Sequence, residues 1–324
     1  MTDVAAVGGA TRVKRFLGEY PVVSLLLLLA ALVVVLEFMR PGIVNERWIA
    51  NTIKFAIPLA MLASCQTLTM LTGGIDLSVG TIATISSFVM ATQVPISGPT
   101  AAVFIAIAPA VVLGLVNGFG VGVCRVHPLI MTLGTGLIGI GCLQVYQRFV
   151  IATGSEIPGF LAWLGTGRYG TLPHSLLLFV PFAAAVIFML RRTGFGRLLY
   201  ALGENENASR LAGVREWQVY LALYALSGLI AGLSGLLYLG LIKAPSLSLV
   251  EPRLLPAVAA AVIGGTSIFG GRGTYSGTIV GAFILTVLTT MLTVMQIPEG
   301  TRRLLFGAII LAVAAAYLRL TEDG

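Results

Sequence analysis

From about Pro21 to Leu318 the chain alternates long apolar runs with short polar breaks, and this alternation limits what it can fold into. A helix needs about 20 apolar residues to cross a hydrocarbon core of about 30 Å. The runs at about 21–39, 49–71, 101–123, 129–150, 219–242 and 278–295 meet or approach that length. With 57% hydrophobic and 10% charged residues, the chain cannot keep a soluble surface wet over 324 residues. The expected fold is therefore an all-α polytopic integral membrane protein.

Four further segments are shorter: the stretch up to about Thr92, then 175–190, 254–263 and 303–318. Together the runs predict about ten transmembrane segments, some interrupted by glycine or re-entrant. Arg12, Lys14 and Arg15 precede the first run and no small-residue cleavage pattern follows it, so it reads as a retained signal-anchor. This gives a cytoplasmic tail at 1–20, one transmembrane domain at 21–320 and a second cytoplasmic tail at 321–324. Of the 20 Lys and Arg residues, this topology places eleven inside and nine outside, a bias carried by the N-terminal cluster and the 191–215 stretch.

The net charge of +7 raises the question of nucleic acid, but no basic run alternates with aromatics. The charge fits loops that set topology and meet anionic lipid. His127 and His174 are the only histidines, and Cys65, Cys124 and Cys142 have no CxxC spacing, so neither a metal site nor a disulfide framework is expected. No HExxH and no paired carboxylates occur in the apolar runs, so no catalytic residues are assigned and the chain does not read as an enzyme. Gly134-Thr-Gly136-Leu-Ile-Gly139 is formally a dinucleotide fingerprint but lacks its strand and hydrophilic setting, so it reads as a packing face. Small-xxx-small steps at Gly114, Gly118 and Gly122, at Gly228 and Gly232, and at Gly277 and Gly281 predict close helix contacts.

One stretch carries a charge amid this apolarity. Leu71–Gly80 sets Gly73, Gly74 and Asp76 between two runs, and a second glycine turn at Gly264-Gly265 is followed by Gly271 as Gly73-Gly74 is by Gly80. Paired, glycine-interrupted segments in corresponding halves point to a transport pathway built from an internal repeat. The candidate pathway or helix-junction residues are Gly73, Gly74, Asp76, Ser78, Gly80, Asn117, Gly264 and Gly265. Two readings of Asp76 stand side by side. A glycine of positive φ ends one helix and Asp76 caps the next, or a re-entrant half-helix brings Asp76, Ser78 and Thr81 to a conduit. An ion-coupled secondary transporter with Asp76 as its cation or proton site is the competing function.

Four motifs carry a family resemblance: Leu71–Gly80, Gly114–Gly118 with Cys124–Thr135, Phe195–Val214, and Ala260–Ala282. Over about residues 50–290 they resemble, in order, the permease subunits of bacterial monosaccharide ABC importers of the ribose/xylose type. Branched-chain amino-acid permeases share the architecture without the Gly-Gly-Ile-Asp-Leu-Ser-Val-Gly wording, and stand second. The resemblance implies a multi-pass protein of the bacterial inner membrane. It would pair with a second permease copy or paralogue, a cytoplasmic ATPase and an extracytoplasmic sugar-binding protein. No Gly-Lys dipeptide occurs, so a Walker A loop is absent; ATP and Mg²⁺ would sit on the partner ATPase, with no cofactor in this chain. The 191–217 loop would contact that ATPase through Gly203, Glu204, Asn205, Ala208, Leu211 and Gly213, with a short helix at 205–212 capped by Asn205 and stopped by Gly213. Arg47, Arg168, Arg253 and Arg302, joined by Arg303, fall in outer loops where a binding protein would dock. One departure stands out: Pro256 occupies a position where members of the family commonly have an acidic or amide residue.

Overall fold

The computed structural model describes residues 21–322. The expected tail at 1–20, with Arg12, Lys14 and Arg15, and residues 323–324 lie outside the described residues. Among the described residues the regular structure is helical but for one two-residue antiparallel ribbon, β1 (Arg168–Tyr169) and β2 (Leu172–Pro173). In order the helices are α1 (Pro21–Met39), α2 (Glu46–Met70), α3 (Val79–Gly122), α4 (Pro128–Val150), α5 (Gly159–Thr166), α6 (Ser175–Arg192), α7 (Gly194–Glu204), α8 (Glu206–Leu211), α9 (Glu216–Ile242), α10 (Leu254–Ile263), α11 (Tyr275–Val294) and α12 (Glu299–Glu322). Among the described residues, seven helices are long and apolar enough to cross a membrane: α1, α2, α3, α4, α6, α9 and α11.

Two of the three segments by which seven falls short of the expected ten have reasons visible in the backbone. The third and fourth runs form α3, whose 44 residues would extend about 66 Å if straight, twice a hydrocarbon core. Helix geometry fails at Gly98 (φ 79°, ψ 163°), and Pro95, just past the expected end of the run near Thr92, lies inside the helix. The eighth run, α10, has ten residues and a length of about 15 Å, half a core. Phe160–Leu164, in the loop between two runs, falls within the short helix α5.

Burial separates central helices from peripheral ones. Every residue of α2 from Ala56 to Met70 is buried, polar ones included, so this helix runs through the middle of the bundle. By contrast α1, α4 and α6 present Leu27, Phe38, Ile130, Leu137, Phe149, Val180 and Phe188 outward, the apolar rind that lipid solvates.

The small-residue steps do what close packing requires. A Cβ on Gly118 would stand 2.7 Å from the Leu221 Cα and one on Gly122 3.0 Å from the Trp217 Cα, so α3 and α9 touch backbone to backbone. Gly228 and Gly235 of α9 meet α3 at Ala110 and Ala83 in the same way. Gly277 and Gly281 seat α11 on α10. The fingerprint-like glycines of α4 divide: Gly136 and Gly139 pack against Ser78, Thr81 and Ile85, while Gly134 faces open space. The packing reading therefore holds for two of the three.

Candidate functional site

The two glycine turns close their helices identically. After α2, Gly73 N–H donates to Met70 O (2.9 Å) and Gly74 N–H to Thr69 O (3.1 Å). After α10, Gly265 N–H donates to Val262 O (3.0 Å) and Thr266 N–H to Ala261 O (3.0 Å). Each is a Schellman closure with a left-handed residue at the pivot, φ 76° at Gly73 and 85° at Gly265. Gly73 thus corresponds to Gly265 rather than Gly264, one residue off the register expected from the double glycines. Gly264 has another task, since a Cβ there would meet the backbone of Gly277 and Thr278.

The turns also touch. Gly271 N–H donates to the Leu71 carbonyl (3.0 Å), and the Phe269 carbonyl lies 3.4 Å from where a Cβ on Gly73 would be. Both contacts are covered by α7, which the sequence reading left inside a polar loop. Gly203 lies against Leu71 and Gly271 so closely that a Cβ would overlap the Leu71 oxygen. Tyr200 Oη donates to Gly273 O (2.8 Å), and burial raises its phenol pKa above the ordinary value, keeping it a donor. Thr193 caps α7, accepting from Gly196 N–H (3.2 Å).

Beside α7, the short helix α8 has the ends the sequence dictates. Asn205 Oδ1 accepts from Ala208 N–H (2.9 Å), and Gly213 (φ 86°) closes the helix with bonds to Arg210 O and, through Val214, to Ser209 O. Glu204, Asn205, Ala208, Leu211 and Gly213 are all exposed, and the Leu211 side chain is 88% so. An ion pair fixes this segment to the α3–α4 loop: Arg125 Nη2 lies 2.8 Å from Glu216 Oε2, with Glu216 buried at the start of α9. Arg210 Nε approaches the other Glu216 oxygen only to 4.0 Å. Arg125→Ala is accordingly expected to cost about 2 kcal/mol, because it strands a buried carboxylate, while Arg210→Ala costs well under 1 kcal/mol. Thermal melts of the two solubilised variants, followed by tryptophan fluorescence, would check this order.

Asp76 is 1% exposed, and its carboxylate is the centre of a polar hub. One oxygen accepts from Ser78 N–H (3.0 Å) and Ser78 Oγ (2.6 Å), the other from Ser227 Oγ (2.9 Å) on α9. Ser78 Oγ accepts in turn from Asn117 Nδ2 (2.9 Å), and Asn117 Oδ1 from Thr135 of α4 (2.5 Å). Gln66 Nε2 of α2 donates to the Asp76 carbonyl (2.6 Å). Four long helices thus meet at one carboxylate. The capping expectation needs adjusting: Ser78 holds the N-cap position of α3, and Asp76 shapes the turn that leads into it.

A cavity of about 800 Å³ opens elsewhere, between α2, α10, α11 and α12. Its wall takes Trp48, Asn51 and Thr52 from α2 and Thr286, Thr289, Thr290 and Thr293 from α11. Ser248, Glu251 and Arg253, ahead of α10, and Glu299, Arg302 and Arg303 of α12 add to its polar lining. Trp48 and Asn51 lie at the end of α2 remote from the glycine turn, so the cavity and the α7 junction occupy opposite ends of that helix. None of the eight residues assigned to the pathway lines it; the nearest link is Gly80, whose Cβ would lie 3.2 Å from the Glu251 Cα. Val250 N–H also donates to Thr84 Oγ1 of α3 (3.1 Å), so the segment before α10 reaches deep into the bundle. Of the five arginines assigned to docking, Arg47 and Arg168 are exposed, whereas Arg253, Arg302 and Arg303 line the cavity. The sequence reading missed the cavity threonines, although their 286, 289, 290, 293 spacing marks one face of an otherwise apolar helix.

Residues 48–314 match the family described as branched-chain amino acid transport system / permease component. The chain is 33% identical over 319 residues to the ribose import permease protein RbsC of Escherichia coli (strain K12), covering 96% of this chain and 97% of that protein. It is 32% identical over 265 residues to the fructose import permease protein FrcC of Rhizobium meliloti, covering 79% and 74% respectively. It is 28% identical over 319 residues to the probable ABC transporter permease protein YphD of Escherichia coli (strain K12), covering 97% and 95%. No solved structure matches the chain. The family match begins in the first turn of α2 and ends within α12, taking in the glycine turns, the Asp76 hub, the α7–α8 segment and the cavity, and the chain belongs to this family of membrane transport permeases.

Proposed function

We propose that this chain is the transmembrane subunit of an ATP-binding-cassette importer that carries a monosaccharide or related polyol across the bacterial inner membrane. The observation that carries the reading is the cavity of about 800 Å³, within the 300–1,000 Å³ range of small-molecule sites and lined by hydroxyl, amide and charged groups inside an apolar bundle. The names of the ribose and fructose import permeases supply the substrate class, and favour it over a branched-chain amino acid.

On this reading the two limbs of α3 on either side of Gly98, together with α12 and the half-length α10, bring the membrane segments to about ten, with both termini cytoplasmic. The segment before α10 is re-entrant, and α7 and α8 lie on the cytoplasmic face. Exposed Leu211, at the end of the helix that Asn205 caps, offers a small apolar knob to a groove on an ATPase subunit, which binds the ATP and Mg²⁺. Contact of α7 with both glycine turns gives that docking a mechanical route into α2 and α11. A second permease copy or paralogue completes the membrane unit, and a sugar-binding protein delivers cargo at the opposite face, where Arg47 and Arg168 are exposed. The ion-coupled alternative loses its site, because both Asp76 oxygens are taken by hydroxyl and amide donors and neither borders the cavity.

Proteoliposomes holding the permease, its ATPase and its binding protein test the proposal. Labelled D-ribose, D-xylose or D-fructose is expected to accumulate only with ATP and binding protein, to be unaffected by a protonophore, and to be taken up in preference to labelled leucine. Uptake that needs no ATP and collapses with the proton gradient would overturn it.

A further inference from the structure

The cavity wall on α11 has a directional chemistry. Its four threonines occupy one helix face, and every hydroxyl proton among them is already committed to the helix itself. Thr286 Oγ1 donates to Ala282 O (2.8 Å), Thr289 to Leu285 O (2.7 Å), Thr290 to Thr286 O (3.1 Å) and Thr293 to Thr289 O (2.7 Å). A hydroxyl so engaged has spent its one donor and keeps acceptor lone pairs. The wall therefore presents a column of acceptors about 10 Å long, seven residues at 1.5 Å each. Across the cavity, α2 brings Asn51 and Trp48, and the Trp48 indole nitrogen is buried with no hydrogen-bond partner among the described residues.

We infer that the α11 threonines are a specificity ladder that passes a neutral polyol by accepting its hydroxyl protons in succession. This deepens the proposed function and rests on it. A polyol carries several O–H donors, so it can hold one rung while reaching for the next. Each rung is a single neutral hydrogen bond, weak enough to release, and passage requires several weak sites rather than one strong one. The threonine face offers no donor to an inorganic anion such as phosphate, which would be held by donors elsewhere in the lining, Arg253, Arg302 and Arg303 among them. A free amino acid brings an ammonium group from which the threonines accept, while its carboxylate finds donors at those arginines and none on the threonine face.

Valine matches threonine in shape and lacks the acceptor; serine keeps it. In the reconstituted importer, Thr289→Val/Thr290→Val/Thr293→Val is expected to lower the maximal sugar uptake rate about tenfold, the scale of one or two lost hydrogen bonds. The triple serine variant should stay within about twofold of the unsubstituted chain. Single valine variants, each compared at matched melting temperature, cover the case in which the triple variant is unstable; each should slow uptake by a smaller factor. Thr290→Trp serves as the control for the cavity itself, because it fills the passage. Uptake unchanged in the valine variants but blocked by Thr290→Trp overturns the ladder and leaves the cavity as the route. Uptake unchanged by Thr290→Trp removes the cavity from the route, and the proposed function loses the observation that carries it.

Discussion

Replacing Gly203 by valine is expected to abolish ATP-driven uptake and to destabilise the solubilised chain by about 3 kcal/mol. Gly203 is where α7 rests on both glycine turns. A Cβ there would overlap the carbonyl oxygen of Leu71 and stand 2.5 Å from the amide nitrogen of Gly271. Those two atoms are the partners of the hydrogen bond that joins the turns. The added methyls therefore meet backbone that has no rotamer to escape into, and the segments must separate. Overpacking of this kind costs about 1–3 kcal/mol, with about 1 kcal/mol more for the lost bond. Gly213 provides the contrast. Nothing lies within 4 Å of a Cβ at that position, so Gly213→Ala meets only the strain of φ 86°, about 1 kcal/mol. Melting curves should rank Gly203→Val well below Gly213→Ala, and ATP-dependent uptake should be absent from the first. Wild-type melting and uptake in Gly203→Val would mean that α7 does not need its seat. A bulky β-branched residue at Gly213 remains expected to stop transport in a chain that still inserts, because α8 then loses its left-handed stop.

What could be read from the sequence follows from which forces act locally. Helix ends are local, so Asn205 as a cap and Gly213 as a stop were legible from six or seven neighbouring residues. Backbone contact between helices leaves a mark as well, because only small residues permit it. Gly114, Gly118 and Gly122 therefore announced the α3–α9 seam without revealing which helix stood opposite. The register of the second glycine turn was not legible. Gly264 and Gly265 look alike in sequence, and only the packing of α11 against Gly264 assigns the left-handed pivot to its neighbour. The cavity was hidden for a related reason. A threonine in an apolar helix bonds to its own i−4 carbonyl wherever it sits, so its side chain looks satisfied whether it faces protein, lipid or a passage. Only the cavity that the folded helices leave beside Thr286, Thr289, Thr290 and Thr293 shows which face borders open space. Helix α7 was passed over because Arg197, Glu204 and its glycines read as loop, whereas its Leu199 and Leu202 are buried against the bundle.

Asp76 separates a structural need from a need for charge, and the expected result is that asparagine suffices where alanine fails. Alanine removes the acceptor for Ser78 N–H, Ser78 Oγ and Ser227 Oγ, all of them buried. Stranding such groups costs about 1–3 kcal/mol each. Because the two hydroxyls can turn toward other acceptors, the net loss for Asp76→Ala should be about 3 kcal/mol, shared among the helices that meet there. Asparagine can keep Oδ1 as the acceptor for Ser78 and present Nδ2 to Ser227 Oγ, which then accepts instead of donating. Asp76→Asn is therefore expected to melt within a few degrees of the unsubstituted chain and to retain most of its uptake. Asp76 does not line the cavity, so no cargo contact is lost with the charge. Equal stability in Asp76→Ala would remove the hub as a structural element. An Asp76→Asn chain that melts normally but does not transport would show instead that the negative charge itself takes part in the cycle. That charge would then act where α2, α3, α4 and α9 converge, one turn of backbone from the junction on which α7 rests.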